Sequence, residues 1–136
     1  MTAEFVVAVH AVVYLNHKKT YLSSEEIAEN VCTNPARIRK VMNKLKAGGL
    51  VAVRAGVSGG YSFCGNQEET TLYDIFKAVG EEFVSVKWRS GDDCAECPVS
   101  RNMKPIMDGA FDELDSCAEQ KLKSTTVADI DRKIFG

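Results

Sequence analysis

SSEEIAENVCTNPARIRKVMNKLKAGGLVAVRAGVSGGYSF, residues 23 to 63, decides the fold. Ser23 and Glu26 stand as a capping box, with Leu22 and Ile27 at the two positions of a hydrophobic staple. A helix therefore starts at Ser24 and runs to about Asn30. Asn34-Pro35 marks a second start, an N-cap followed by proline at the first helical position, where its missing N–H costs nothing. Only about three residues separate the two helices, the spacing of a helix-turn-helix. The second helix is predicted over 35 to 47. Ile38, Val41, Met42 and Leu45 make one inward stripe. At about 100° per residue, Ala36, Lys40, Asn43 and Ala47 point away from it. Arg37 and Lys44 flank that outer face on one side, Arg39 and Lys46 on the other. Gly48-Gly49 stops the helix, LVAVR (50 to 54) has the alternation of a strand, AGVSGG (55 to 60) is a turn, and YSFC (61 to 64) returns.

Charge gives this stretch a purpose. Residues 31 to 65 hold Arg37, Arg39, Lys40, Lys44, Lys46 and Arg54 and no acidic residue, a charge of +6 in a chain of net charge −2. A focused positive patch on an acidic body is the footprint of a protein that meets a polyanion with one face. A basic helix face alone is often an ordinary solvated surface. The basic hairpin directly after it turns the reading to DNA. The expected fold is mainly α with a small β-hairpin wing: a winged helix-turn-helix DNA-binding domain plus a long C-terminal dimerisation helix. Lys40 and Asn43, with small Ala36 beside them, would let the helix sit deep in a groove, where asparagine and arginine pair with base edges and lysines suit phosphates. The expected contacts are Ser24, Asn34, Pro35, Ala36, Arg37, Arg39, Lys40, Asn43 and Lys44. On the wing they are Arg54 at its base, Ser58, Gly59 and Gly60 at the tip, and Tyr61.

The flanks fit one assembly. The chain of 136 residues suits a single domain with an oligomerisation arm. Residues 4 to 16 are apolar on nearly every side, which predicts a helix buried between its own domain and something else, a partner subunit being one candidate. The run at 5 to 15 is too short for a membrane span, which takes roughly 20 residues, and lacks a basic flank and a cleavage site. A cytoplasmic protein without a membrane segment is expected. Thr71 and Asp74 cap a helix whose stripe is Leu72, Ile75, Phe76 and Val79. Residues 81 to 97 show no stripe and read as a long loop carrying the CxxC of Cys94 and Cys97. From Pro98 to Lys123, Val99, Met103, Ile106, Ala110, Leu114 and Cys117 are spaced by three or four, like a helix–helix seam. Pro105 and Gly109 predict a kink or a late start. Thr126 and Asp129 cap a last helix with Ile130 and Ile134. The expected division is a DNA-binding domain over 1–80 with its wing at 50–64, a loop over 81–97, and a dimerisation segment over 98–136.

The stretch at 23 to 63, followed by TLYDIFKAV, resembles the Rrf-two (BadM) family of bacterial winged-helix transcription regulators. The motifs are the helix pair, GLV at 49 to 51, Arg54 before the wing, GGY at 59 to 61, and Leu72, Asp74 and Ile75 on the next helix. The tail CPVSRNMKPIMD…LKSTTVADI is similar to a YwnA-like branch. The resemblance implies a homodimer on a pseudo-palindromic operator in double-stranded DNA, usually as a repressor. It also implies that the long helix pairs across a two-fold axis with the first helix joining in, and that the reading helices lie roughly 34 Å apart. The wing reads RAGVSGGY where many members have RGPGGGY.

The five cysteines are odd in number and irregularly spaced, so a secreted disulfide framework is not expected. Members that hold an iron–sulfur cluster carry three cysteines in the loop before the dimer helix and one further ligand. This loop supplies Cys94 and Cys97 only, and Glu4 stands near where an acidic ligand from the partner's first helix occurs in one branch. No resident cofactor is expected. A cluster-sensing regulator with Cys94 and Cys97 as ligands stays an alternative, and one CxxC is half of a zinc site. The sharper expectation is a thiol switch. Cys32 precedes the reading helix, whose N-terminus and Arg37 would make it reactive, and a disulfide to Cys94 or Cys97 would move the reading head. Cys64 and Cys117 are assigned to packing. A thiol oxidoreductase needs its CxxC after a strand in a βαβ unit, which this sequence lacks, and no catalytic constellation appears elsewhere, so no enzyme is expected. A winged helix used only for protein contact is the other alternative. The absence of acidic residues from 31 to 65 speaks against it.

Overall fold

A computed structural model describes residues 2 to 136. Six helices and two strands follow in the order α1 (Ala3–Lys18), α2 (Ser24–Val31), α3 (Pro35–Ala47), β1 (Val51–Arg54), β2 (Gly60–Phe63), α4 (Leu72–Val79), α5 (Pro98–Lys123) and α6 (Val127–Phe135). The chain forms two compact units, one of residues 1–81 with 122–136 and the other of residues 82–121.

In the first unit the periodicity found in the sequence becomes the core. Ile38, Val41, Met42 and Leu45 on α3 are wholly buried together with Val12 and Leu15 of α1, Ile27 of α2, Ile75 of α4 and Val127 of α6. Local chemistry fixes where the helices begin. Ser23 Oγ accepts from the Glu26 N–H at 3.1 Å, and Asn34 Oδ1 accepts from the Arg37 N–H at 2.8 Å. Thr71 and Asp74 form a reciprocal capping box on α4, as Thr126 and Asp129 do on α6. β1 and β2 pair antiparallel, Val51 facing Phe63 and Arg54 facing Gly60, which leaves a five-residue turn at 55–59.

One expectation is matched within its own unit only, and another needs correction. The first is burial of α1 between its own domain and a second body. Phe5, Ala8, Ala11, Val12 and Leu15 are buried, but Val6 is 66% exposed and His10 is exposed. The neighbouring helices of the unit cover three sides of α1 and leave one strip open. That strip, with Tyr14, His17, Ile130, Ile134 and Phe135, lines an apolar groove of about 650 Å³. The second is a late start to the long helix. α5 begins at Pro98 and continues through Pro105. Pro98 sits in the first turn, where proline is tolerated, and none of the helix is buried, so the carbonyl freed by Pro105 has water to bond.

The last helix also lies elsewhere than the spacing suggested. Sequence grouped it with α5, yet α6 packs in the first unit. The Leu72 N–H donates to the Thr125 carbonyl and the Val127 N–H to the Thr70 carbonyl, both at 2.9 Å, and His17 stacks on Phe135 at 4.1 Å. Within the second unit, the loop is pinned to α5. Arg89 donates to Asp108 at 2.6 Å and lies 4.6 Å over the Phe111 ring, while the Asp92 N–H donates to the Ser100 carbonyl.

Candidate nucleic-acid interface

The first unit turns one face of α3 inward, so the opposite face points outward. Ala36, Arg37, Lys40 and Asn43 are exposed on it, and Lys44 is half-buried. The turn before α3 and the wing after it supply the remaining predicted residues, and most of these do a structural task as well.

Asn34 is occupied as the N-cap of α3, and Pro35 opens the helix half-buried. Ser24, the first residue of α2, is buried and its hydroxyl accepts from Arg39 Nη1 at 3.2 Å. Arg39 also faces Glu25 at 3.8 Å. Ser24 therefore orients Arg39 across the helix pair. Lys40 and Lys44 lie one helical turn apart, and both are ion-paired with Glu4 in the first turn of α1. Lys40 Nζ is 2.9 Å from Oε1 of Glu4 and Lys44 Nζ is 2.6 Å from Oε2. The hydrogen bonds from Lys44 and then Lys40 hold the Glu4 carboxyl below its ordinary pKa. Both Glu4 oxygens are thus engaged within its own chain, and nothing in its position marks it as a cluster ligand.

On the wing, Arg54 does not project freely. It donates to the Ser58 carbonyl at 2.8 Å, closing the turn, and its guanidinium lies 4.2 Å over the Tyr21 ring. Tyr61 exchanges two backbone hydrogen bonds with Leu22, at 2.8 and 2.9 Å, so β2 is tied to the start of α2. Gly60 has φ +138°, and a Cβ there would collide with the Leu22 carbonyl. The expected tip therefore shifts. Gly59 is half-buried against Arg54 and Ala55 of its own hairpin and Gly60 against Leu22 and Ser23 just before α2, and the exposed apex is Val57, next to Ser58. The alternation of LVAVR and the glycines located the hairpin, but not which glycine faces the body. Sequence reading missed Tyr21 and the pairing of Glu4 with the two lysines, because both depend on contacts between distant parts of the chain.

All five thiols are free and exposed. Cys32 is the C-cap of α2, in the short turn between Val31 and the Asn34 N-cap of α3. It has φ +66°, and its sulfur lies 3.8 Å from the Glu29 carbonyl. Cys97 holds the favoured position instead, immediately before α5, where the backbone N–H groups of Ser100 and then Val99 pull its thiol below the ordinary value. Among the described residues, the one group able to gather three ligand atoms is Asp92, Asp93 and Cys94, all exposed. Two carboxylates and one thiol do not make the thiolate set an iron–sulfur cluster needs, so the donor set in this chain does not fit that group. Among the described residues, no helix is long and apolar enough to cross a membrane.

The comparisons agree with this geometry. A family model for Rrf2, described as an iron-dependent transcriptional regulator, matches residues 1–133. The chain is 28% identical to YwnA of Bacillus subtilis (strain 168) over 99% of both chains, a protein whose name assigns it provisionally as an HTH-type transcriptional regulator. A crystal structure from Lactobacillus plantarum, described in the same provisional terms, superposes with a TM-score of 0.82 at 24% identity, covering 98% of this chain and 91% of that one. CymR, described as the global cysteine regulator of B. subtilis, gives 0.72 at 18% identity, over 96% and 94% of the two chains. With a reading helix, a wing and a family match over nearly its whole length, the chain belongs to the Rrf2 family of winged-helix transcriptional regulators, DNA-binding proteins and not enzymes.

Proposed function

We propose that the chain is a repressor that binds a pseudo-palindromic operator as a homodimer in the cytoplasm. The observation that carries this reading is the outward face of α3, with Arg37, Lys40, Asn43 and Lys44 opposite a fully buried stripe and a wing beside it. In this reading Arg37 and Asn43 reach base edges, Ala36 allows close approach, and Lys40 and Lys44 meet phosphates. Asn34 and Pro35 present the helix N-terminus to the backbone, and Ser24 acts through Arg39. On the wing, Ser58 at the apex touches the sugar–phosphate backbone, while Arg54, Gly59, Gly60 and Tyr61 hold the hairpin at its angle. Residues 1–80 do the reading, 81–97 form the loop and 98–136 carry dimerisation, with the last helix returning to the reading unit.

Two unpartnered apolar surfaces support a homodimer. α5 exposes Val99, Ile106 and Leu114, each more than half open, and α1 lines its groove with Val6, Val9 and Tyr14. A second copy covering both would satisfy them at once.

The regulator works without a resident cluster in this proposal and responds to thiol oxidation. Two thiols give up two protons and two electrons to a peroxide or a disulfide, and a disulfide forms between Cys32 and Cys94 or Cys97. In the Cys32–Cys97 pairing, which the Cys97→Ser variant tests, Cys97 at the N-terminus of α5 is the attacking thiolate. The test is operator selection with the purified protein, run reduced and oxidised side by side. A two-fold symmetric site bound by the reduced protein and lost on oxidation is expected. Selection that recovers no common sequence refutes operator binding, and equal binding under both conditions refutes the switch.

A further inference from the structure

The two lysines at the flank of the reading helix do not stand free. Glu4 spans them with one oxygen each, and its side chain is only 19% exposed. Its place is set from both sides. Thr2, the N-cap of α1, accepts from the Glu4 N–H and hydrogen-bonds Glu81. Phe5 packs edge-on against Phe76 of α4 at 5.6 Å. The carboxylate is thus built into the wall of a cleft of about 350 Å³ that also holds Arg37 and Lys44.

We infer that Glu4 is a specificity-determining residue: a built-in counter-ion that withholds Lys40 and Lys44 from the phosphates of non-operator DNA and so lowers affinity for it, while the closer fit of the operator draws both lysines onto its phosphates. Sequence-independent binding is almost wholly phosphate neutralisation, so the charge available at the contact face sets its strength. A phosphate approaching this flank must compete with a carboxylate already engaged at 2.6 and 2.9 Å. A regulator that must find one site among many benefits from weak random binding, because the ratio of specific to random affinity governs occupancy.

The inference rests on the DNA-binding reading, and the experiment separates the two. The full-length protein is titrated onto a random-sequence duplex by fluorescence anisotropy across a salt series, with thermal melts run alongside. Glu4→Gln is expected to bind this duplex about threefold to tenfold tighter at low salt, and to steepen the log–log salt slope by up to about 0.9 per lysine released. In a Lys40→Gln/Lys44→Gln background, adding Glu4→Gln is expected to change nothing. The lysine double variant alone reads the same clamp from the other side, and does so even if E4Q folds poorly. It is expected to lose little random affinity, with a slope change well short of about 1.8 per subunit. Equal affinity and slope for E4Q and the wild type overturn the inference. So does an equal gain in the lysine-free background, or the full slope loss on removing the lysines. A wild-type protein that binds no random duplex at all instead refutes DNA binding itself.

Discussion

Gly60 shows how a single residue sets the angle of the wing. Its φ of +138° is strained for any L side chain, and a Cβ would meet the Leu22 carbonyl, part of the bridge that ties β2 to α2. Gly60→Ala is expected to cost about 2 kcal/mol in urea unfolding, and more in DNA affinity than its stability loss explains. Glu4 makes a prediction in pH. Its folded pKa lies below the ordinary glutamate value, so its contribution to stability is present above that value and fades as pH falls through and below it. Lys40 and Lys44 face it from α3, and Arg37 and Glu81 share its cleft. E4Q is expected to cost about 1 kcal/mol at neutral pH and nothing in strong acid, checked by urea melts at a series of pH values. The charge count placed both lysines on a free DNA face. It did not show a carboxylate forty residues away closing on them, because ion pairs between distant segments leave no mark in local sequence.

Among the elements, those with strong local signals were the most legible. The caps at Ser23, Asn34, Thr71 and Thr126 appear where the capping residues stand, because a side-chain cap needs only its own turn. Thr71→Ala removes the hydroxyl that accepts from the Asp74 N–H and is expected to cost about 1 kcal/mol, read as a lowered Tm. The spacing along α5 likewise produced a helix with an apolar side, and that side stays open at Val99, Ile106 and Leu114. Leu114→Asp, at a position already 57% exposed, is expected to leave the monomer fold intact by circular dichroism. The same change should halve the mass measured by sedimentation. A variant that stays dimeric would remove α5 from the interface.

For the whole molecule, the chain divides differently from its linear order. α6 closes against α1 and α4 in the reading unit, while the loop folds onto α5 through Arg89 and Asp108. The proposed thiol switch is tested at this scale. Cys97→Ser is expected to abolish the oxidant-dependent loss of operator binding in a mobility-shift titration while leaving reduced binding unchanged. Cys64→Ser is expected to retain that loss, and the opposite pattern would move the switch elsewhere.

The sequence alone determined the helix pair, the buried stripe of α3, the hairpin, the capped starts of α4 and α6, and the family. These rest on periodicity and short-range chemistry, which a chain carries wherever it folds. The tertiary structure decided what the charges and glycines do. Glu4 closed on Lys40 and Lys44, Ser24 took Arg39, and Gly60 turned inward to Leu22. Each of these depends on where a second segment arrives. That is set by the packing of the whole core, not by the residues on either side.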